Sequence, residues 1–422
     1  MPPQLISFLG LASFLALAWV ISLNRRQFPF RTVISGVLLQ FVLALIILKS
    51  PPGRAFFTFA NDAMARLLSF ADEGSRFVFG PLADTTLLTE KFGPGHSFIF
   101  FVTVTGTIIL VSALSSLLYH YGILQQVVKV IAWVMQRLMG TSGSESLAAA
   151  ANIFMGQTEA PLVIKPYLKH VTRSELLALM VPGMASIAGG VLAAYVQFGN
   201  AAGRMDMAGH LITASFMSAP AALLIAKIIL PETQKSETAA GATAELEKPA
   251  RNGIDAVCLG ASEGMTLSLN VMAMLIAFVA LVALANGALG GVQGWFGILA
   301  PVKLETVFGW LNAPCAWLIG VPWVDCSKVG EVLGTRIVLN EFVSYLSLTE
   351  MQKAGALGER SFTLATYALC GFANFSSIAI QIGGIGALAP ERRGELAALG
   401  FRAMAGGLLA CYMTATVVGM LT

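Results

Sequence analysis

The chain has 422 residues, 56% of them hydrophobic and 12% charged, with a net charge of +3 and a mean hydropathy of +0.76. Ordinary soluble domains carry about 25% charged residues, so this is the composition of an integral membrane protein, and the small net charge implies no nucleic-acid partner. The five cysteines (Cys258, Cys315, Cys326, Cys370 and Cys411) are scattered, with no CxxC and no paired histidine, and form neither a zinc site nor a disulfide framework.

Residues 5–23 are long and apolar enough to cross a bilayer and lack a small-residue cleavage site, so they read as a retained span and not a signal peptide. The loop NRRQFPFR (24–31) follows, and residues 32–48 cross back. Three arginines in so short a loop predict that it is cytoplasmic and that the N-terminus is outside. Residues 51–95 carry Asp62, Arg66, Asp72, Glu73 and Arg76 at the spacing of an amphipathic surface helix. Residues 97–118 form the third span. The stretch 125–139, interrupted by Lys129 and Arg137, reads as a helix lying in the cytoplasmic interface.

AAAANIFMGQTEAPLVIKP (148–166) comes next. Asn152, Gln157, Thr158 and Glu159 interrupt an otherwise apolar segment. A carboxylate at membrane depth costs at least ~2.5 kcal/mol, so it faces a cavity or a partner. The neighbouring Gly and Pro predict a helix that stops and restarts, leaving backbone groups free. The chain returns to the cytoplasmic side at Lys165, Lys169, His170 and Arg173, so the segment is drawn as a re-entrant hairpin.

Residues 176–198 span outward and 207–230 inward. Residues 231–253 are polar and rich in Ala, Thr and Glu, a cytoplasmic linker by composition and nothing more. Residues 264–289 span outward. The stretch 311–348 holds Pro314, Pro322, Gly330 and then VLNEFVSY, which buries Glu341 beside Asn340, and is expected to be a second hairpin entering from outside. Residues 362–388, a loop with two arginines (389–395) and residues 396–421 complete the chain. The expected fold is all-α, with about eight transmembrane helices, two re-entrant hairpins and both termini outside.

An internal repeat organises these elements. GMASIA (183–188) and GFANFSSIA (371–379) share a GxA…SIA pattern, and each lies in a span that follows a hairpin with a buried glutamate. Hairpin, span, span therefore occurs twice with opposite entry faces, the inverted-repeat architecture of secondary transporters. The boundaries that follow are 1–143 for scaffold spans and the interfacial helix, 144–230 for the first repeat, 231–253 for the linker, 254–307 for a scaffold span and interfacial segment, and 308–422 for the second repeat. Asn152 and Ser186 offer neutral oxygens suited to a desolvated alkali cation. Gln157, Thr158, Glu159, Glu341, Asn374 and Ser377 offer donors and acceptors to a neutral polyhydroxylated or heteroaromatic solute, and Phe372 an apolar face. No lysine or arginine is counted with them in the spans, which disfavours an anionic substrate.

GQTEAPLV with NIF before it, ASIAGGVLA, NEFV and CGFANFSSIAI together resemble the concentrative nucleoside transporters, bacterial branch, over essentially the whole chain. The resemblance implies import of nucleosides by symport, with alternating access around a midplane site. It assigns the nucleobase to Gln157, Thr158 and Glu159, and the ribose to Glu341, Asn374 and Ser377. Val191, Leu267 and Phe372 become apolar contacts. Sodium is implied at the Asn152 and Ser186 side chains and the backbone of Met155 and Ile187, and the assembly as a homotrimer. Some bacterial members couple to protons instead, and a symporter or channel for another neutral polar solute is the remaining alternative.

Two further signals are set aside. GASEG (260–264) fits the G-x-S-x-G pattern of serine hydrolases, but that motif needs a strand-to-helix elbow and here leads into a span. No enzyme activity and no cofactor beyond the coupling ion are expected. His96, His120, His170 and His210 are isolated and expected to be solvated or capping residues, not metal ligands.

Overall fold

The computed structural model describes residues 2–93, 99–239, 241–242, 250–298 and 301–422. His96, Ser97 at the expected start of the third span, and most of the later half of the polar linker lie outside these residues.

The first third is α1 (Pro3–Val20), α2 (Phe30–Lys49), α3 (Pro51–Phe79), α4 (Thr85–Phe92), α5 (Phe100–His120) and α6 (Ile123–Met139). The expected amphipathic surface helix is α3. Ser50 caps it by accepting from the Gly53 amide, two prolines occupy its first turn, and its buried residues Ala60, Met64, Leu68, Ala71 and Ser75 recur every three or four positions.

The elements of the two expected repeats follow. The first holds α7 (Gly143–Ala151), a turn, a 3-10 stretch (Ala160–Tyr167), α8 (Arg173–Ala185), α9 (Gly189–Ala201) and α10 (Met207–Ile229). Serine–glutamate and threonine–glutamate capping boxes at Ser142/Glu145 and Thr172/Glu175 start α7 and α8. α11 (Gly253–Trp295) and α12 (Leu304–Ile319) lead to the second: α13 (Trp323–Val338), α14 (Glu341–Lys353), α15 (Glu359–Leu369), α16 (Phe375–Leu388) and α17 (Arg393–Leu421). Among the described residues seven helical stretches are long and apolar enough to cross a bilayer, with α8 and α9 counted together. α8, α10 and α17 pack on one another at the centre. The span window of α10 is 89% buried against 11% for α11, so α11 lies at the periphery with its apolar surface largely uncovered.

Three expectations about helix boundaries are refined. The second hairpin is narrower than 311–348 at its start: α12 is a separate helix, bent 118° from α13, and the hairpin is α13 with α14, turning at Leu339 and Asn340. The bend needs Gly320, which holds φ at +103°, and Pro322 is the N-cap of α13. The expected spans 176–198 and 362–388 are each two helices, broken at residues 186–188 and 370–374. Periodicity missed these breaks because both flanks are apolar.

The linker is more than a linker at its start. The Thr238 carbonyl accepts from the Gly143 amide at 2.9 Å, and Ser236 donates to Glu175. These contacts tie the segment after α10 to the first turns of α7 and α8. Beside them Lys227, 5% exposed, pairs with Glu145 and donates to Ser174 Oγ at 2.8 Å. The spans therefore do contain a buried cation, at the root of the first hairpin.

His210 is neither solvated nor a simple cap: its Nδ1 is 3.1 Å from Tyr367 Oη and its Nε2 is 3.3 Å from Asp206. His170 is solvated, with 63% of its side chain exposed.

Candidate functional site

The breaks in α8/α9 and α15/α16 place polar side chains at interior helix ends, where backbone groups lack intrahelical partners. Ser186 follows the last residue of α8, and Asn374 is the N-cap of α16. Each lies three residues after the glycine of its GxA motif, so the repeat puts one polar residue at equivalent positions. Gly183 is needed for close approach: a Cβ there would lie 2.7 Å from Gln381 Nε2 and 3.1 Å from Gln157 Cβ.

A hydrogen-bonded chain joins the two halves. Glu341, in the first turn of α14, is 4% exposed, and its carboxylate accepts from Tyr195 Oη at 3.0 Å on one oxygen and from Asn374 Nδ2 at 3.0 Å on the other. The N-terminus of α14 adds a favourable partial charge beside it. Asn374 Oδ1 accepts from the Ser377 amide at 2.9 Å and from Ser376 Oγ at 2.7 Å. Ser377 Oγ then accepts from Gln157 Nε2 at 3.2 Å. Four elements (hairpin one, α9, α14 and the start of α16) meet in this row. It brings together Gln157, Glu341, Asn374 and Ser377 of the expected set.

The other expected residues are placed around it. Glu159 accepts from the Gly156 amide at 3.1 Å, closing the hairpin turn on itself. Thr158 packs its methyl against α16, where a Cβ on Gly384 would meet it at 2.8 Å. Val191 is buried in α9, and Phe372 is half-buried in the α15/α16 break. Glu159, Leu267 and Met155 line a cavity of ≈ 600 Å³ between hairpin one, α5, the start of α9 and α11. Gln157, Glu341, Asn374 and Ser377 are not among its lining residues. Tyr119, Lys165 and Glu263 line the same cavity.

Asn152 and Ser186 cap their own helices, donating to the Ala148 carbonyl at 3.0 Å and the Pro182 carbonyl at 2.9 Å. Asn152 Oδ1 is buried and has no hydrogen-bond donor among the described residues. The Gly189 amide reaches the Phe154 carbonyl at 3.4 Å, so the turn carrying Met155 and the break carrying Ile187 adjoin. An acceptor oxygen with no donor among the described residues therefore lies beside two interrupted helices.

Several residues of the site escaped the sequence reading. Tyr195, Glu263 and Gln381 do so in one way: each is four residues, one helical turn, from a residue already singled out (Val191, Leu267 and Ser377). The i, i+4 neighbour on the same face was the available signal. Arg336 was missed outright. It is fully buried in α13, donates to the Ala368 carbonyl and lies over the Tyr412 ring at 5.4 Å. A guanidinium is thus present at depth, engaged with α15 and α17.

Known proteins match nearly the whole chain. Family models described as Na+ dependent nucleoside transporter N-terminus, nucleoside recognition, and Na+ dependent nucleoside transporter C-terminus match residues 9–82, 101–202 and 210–419. The chain is 44% identical to an uncharacterized transporter of Haemophilus influenzae, over 99% of this chain and 97% of that one. It is 41% identical to the nucleoside permease NupC of Helicobacter pylori, over 99% and 97%. It superposes on the inward-facing substrate-bound structure of CNTnw with a TM-score of 0.91 at 40% identity, covering 100% of this chain and 98% of that one.

Proposed function

The chain belongs to the concentrative nucleoside transporter family, and from that premise we propose that it imports nucleosides across a bacterial cytoplasmic membrane by symport with sodium. The observation that carries this reading is the row Tyr195, Glu341, Asn374, Ser377, Gln157, which links both hairpins through side chains that offer acceptors to hydroxyls and mixed donors and acceptors to a base.

In this reading Gln157, Thr158 and Glu159 serve the base. Glu341, Asn374 and Ser377 take the ribose, and Val191, Leu267 and Phe372 give the apolar walls. Sodium binds at Asn152, Ser186 and the carbonyls of Met155 and Ile187. The unpaired Asn152 Oδ1 favours a cation that needs an oxygen ligand over a proton. Residues 144–230 and 308–422 act as the moving repeats against a scaffold of 1–143 and 254–307, joined by 231–253. Both termini face outward, and three copies assemble, with the uncovered apolar surface of α11 available for lipid or a neighbouring copy.

Radiolabelled uridine and adenosine uptake into proteoliposomes, with sodium and proton gradients imposed separately, tests the proposal. Concentrative uptake should follow the sodium gradient, and nucleosides should compete where free bases hardly do. Uptake driven by a proton gradient alone moves the protein to the proton-coupled branch. Equal competition by uracil and uridine removes the sugar assignment.

A further inference from the structure

Glu341 is held by two protein donors, and the one from the first repeat is Tyr195, 146 residues away in sequence. Its hydroxyl reaches one carboxylate oxygen at 3.0 Å while Asn374 reaches the other at the same distance. Two donors on opposite oxygens fix the plane of a carboxylate that would otherwise rotate. A carboxylate has about four acceptor sites, so these two bonds leave capacity for a ligand hydroxyl.

The tyrosine ring is itself fixed by the hairpin it serves. It is fully buried, stacked on Tyr345 with centroids 4.2 Å apart at 26°, and edge-on to Phe342 at 4.9 Å. Phe342 and Tyr345 lie one and four residues after Glu341 on α14. Tyr345 is anchored in turn, donating to the Thr366 carbonyl of α15 at 2.8 Å. The hydroxyl therefore cannot turn away without moving α14.

We propose that Tyr195 is a positioning residue for the sugar site: it does not touch the nucleoside, but aims the Glu341 carboxylate at the ribose hydroxyls across the boundary between the two repeats. This rests on the nucleoside reading and on the assignment of Glu341 to ribose. Tyr195→Phe keeps the ring and its packing and removes only the donor, so the carboxylate gains freedom that the ribose hydroxyls must then restrain. Hydrogen bonds to charged groups have enough strength for their loss to weaken binding on the order of tenfold.

A purely structural tyrosine and a positioning one part company when the ligand hydroxyls are removed. Binding of uridine and of 2′,3′-dideoxyuridine to the purified full-length protein at saturating sodium would be measured by calorimetry, with uptake kinetics alongside. Tyr195→Phe should weaken uridine about tenfold and leave dideoxyuridine unchanged, with the loss appearing in KM and little in the maximal rate. In Glu341→Gln protein the same substitution should cost nothing further. Parallel loss for both ligands, or a full loss in the Gln background, overturns the proposal. If the wild-type protein binds neither ligand the nucleoside reading itself falls. If it binds both equally, only the ribose assignment and this inference fall.

Discussion

Gln157 donates through Nε2 to Ser377 Oγ at 3.2 Å, 220 residues further along the chain. The bond joins the turn of the first hairpin to the first turn of α16, and so ties an element assigned to the base to one assigned to the sugar. Any motion that separates the first hairpin from α16 must break it.

Glu341→Gln should lose far more transport than Thr158→Ser. The carboxylate accepts charge-assisted bonds, about twice as strong as neutral ones, from Tyr195 and Asn374 and, in the proposed complex, from ribose. Gln presents one amide donor where both neighbours also donate. Thr158→Ser removes only the methyl against Gly384. Uridine uptake by the two variants, normalised to protein incorporated, checks the order. Normal uridine binding by the Gln variant would make Glu341 structural.

Asn152→Ala should flatten the sodium dependence of nucleoside binding and leave the protein folded. The site and the hairpin turn are a few residues apart, so ordering one orders the other. Sodium then raises nucleoside affinity, and nucleoside raises sodium affinity by the same factor, about 5–150-fold for a coupling of ~1–3 kcal/mol. Calorimetric uridine titrations across sodium concentrations, with choline as replacement, measure it. A wild-type affinity indifferent to sodium counts against the coupling.

Lys227→Met should destabilise the protein by about 3–5 kcal/mol, because it leaves Glu145 buried and unpaired. Glu145 is 2% exposed at the start of α7. The double variant Lys227→Met, Glu145→Gln should recover part of the loss by removing the orphaned charge. Thermal unfolding of the detergent-solubilised proteins gives the comparison, and an unaltered midpoint in the single variant would show the pair to be dispensable.

Asp206 gives a pH dependence whose sign follows from its partners. Burial opposes its charged form, but hydrogen bonds from His210 and from both nitrogens of the Arg204 fork outweigh this and hold its carboxyl well below the usual carboxylate range. A depressed folded value stabilises above the unfolded pKa, near 3.9, and the contribution is lost as pH falls from there through the folded value. The side chain is 41% exposed, so solvent screening limits the effect to about 0–1 kcal/mol. Asp206→Asn should lower the unfolding midpoint at pH 7, and the gap should narrow as pH falls below about 4. A gap that is constant with pH would refute an electrostatic origin.

Much of this protein was legible in its sequence. Apolar runs of bilayer length, GQTEAPLV and the paired GxA…SIA motifs determined the class, the family and the repeat, because a lipid solvent leaves few ways to satisfy a backbone and makes each buried polar residue conspicuous. What the tertiary structure decided was where the helices break and which polar groups meet. The breaks at 186–188 and 370–374 lie in packed surroundings, where a Cβ on Gly371 would meet Cys411 Sγ and the Met184 carbonyl at 2.7 Å, and a periodicity count within one apolar run cannot register that. Tyr195 reads as one more aromatic in a span until α14 brings Glu341 to its hydroxyl. Ser236 and Thr238 read as linker until they close on the hairpin root. A hydrogen bond between residues 146 or 220 positions apart depends on the whole fold to bring its ends within 3 Å or so, and no local pattern encodes that distance.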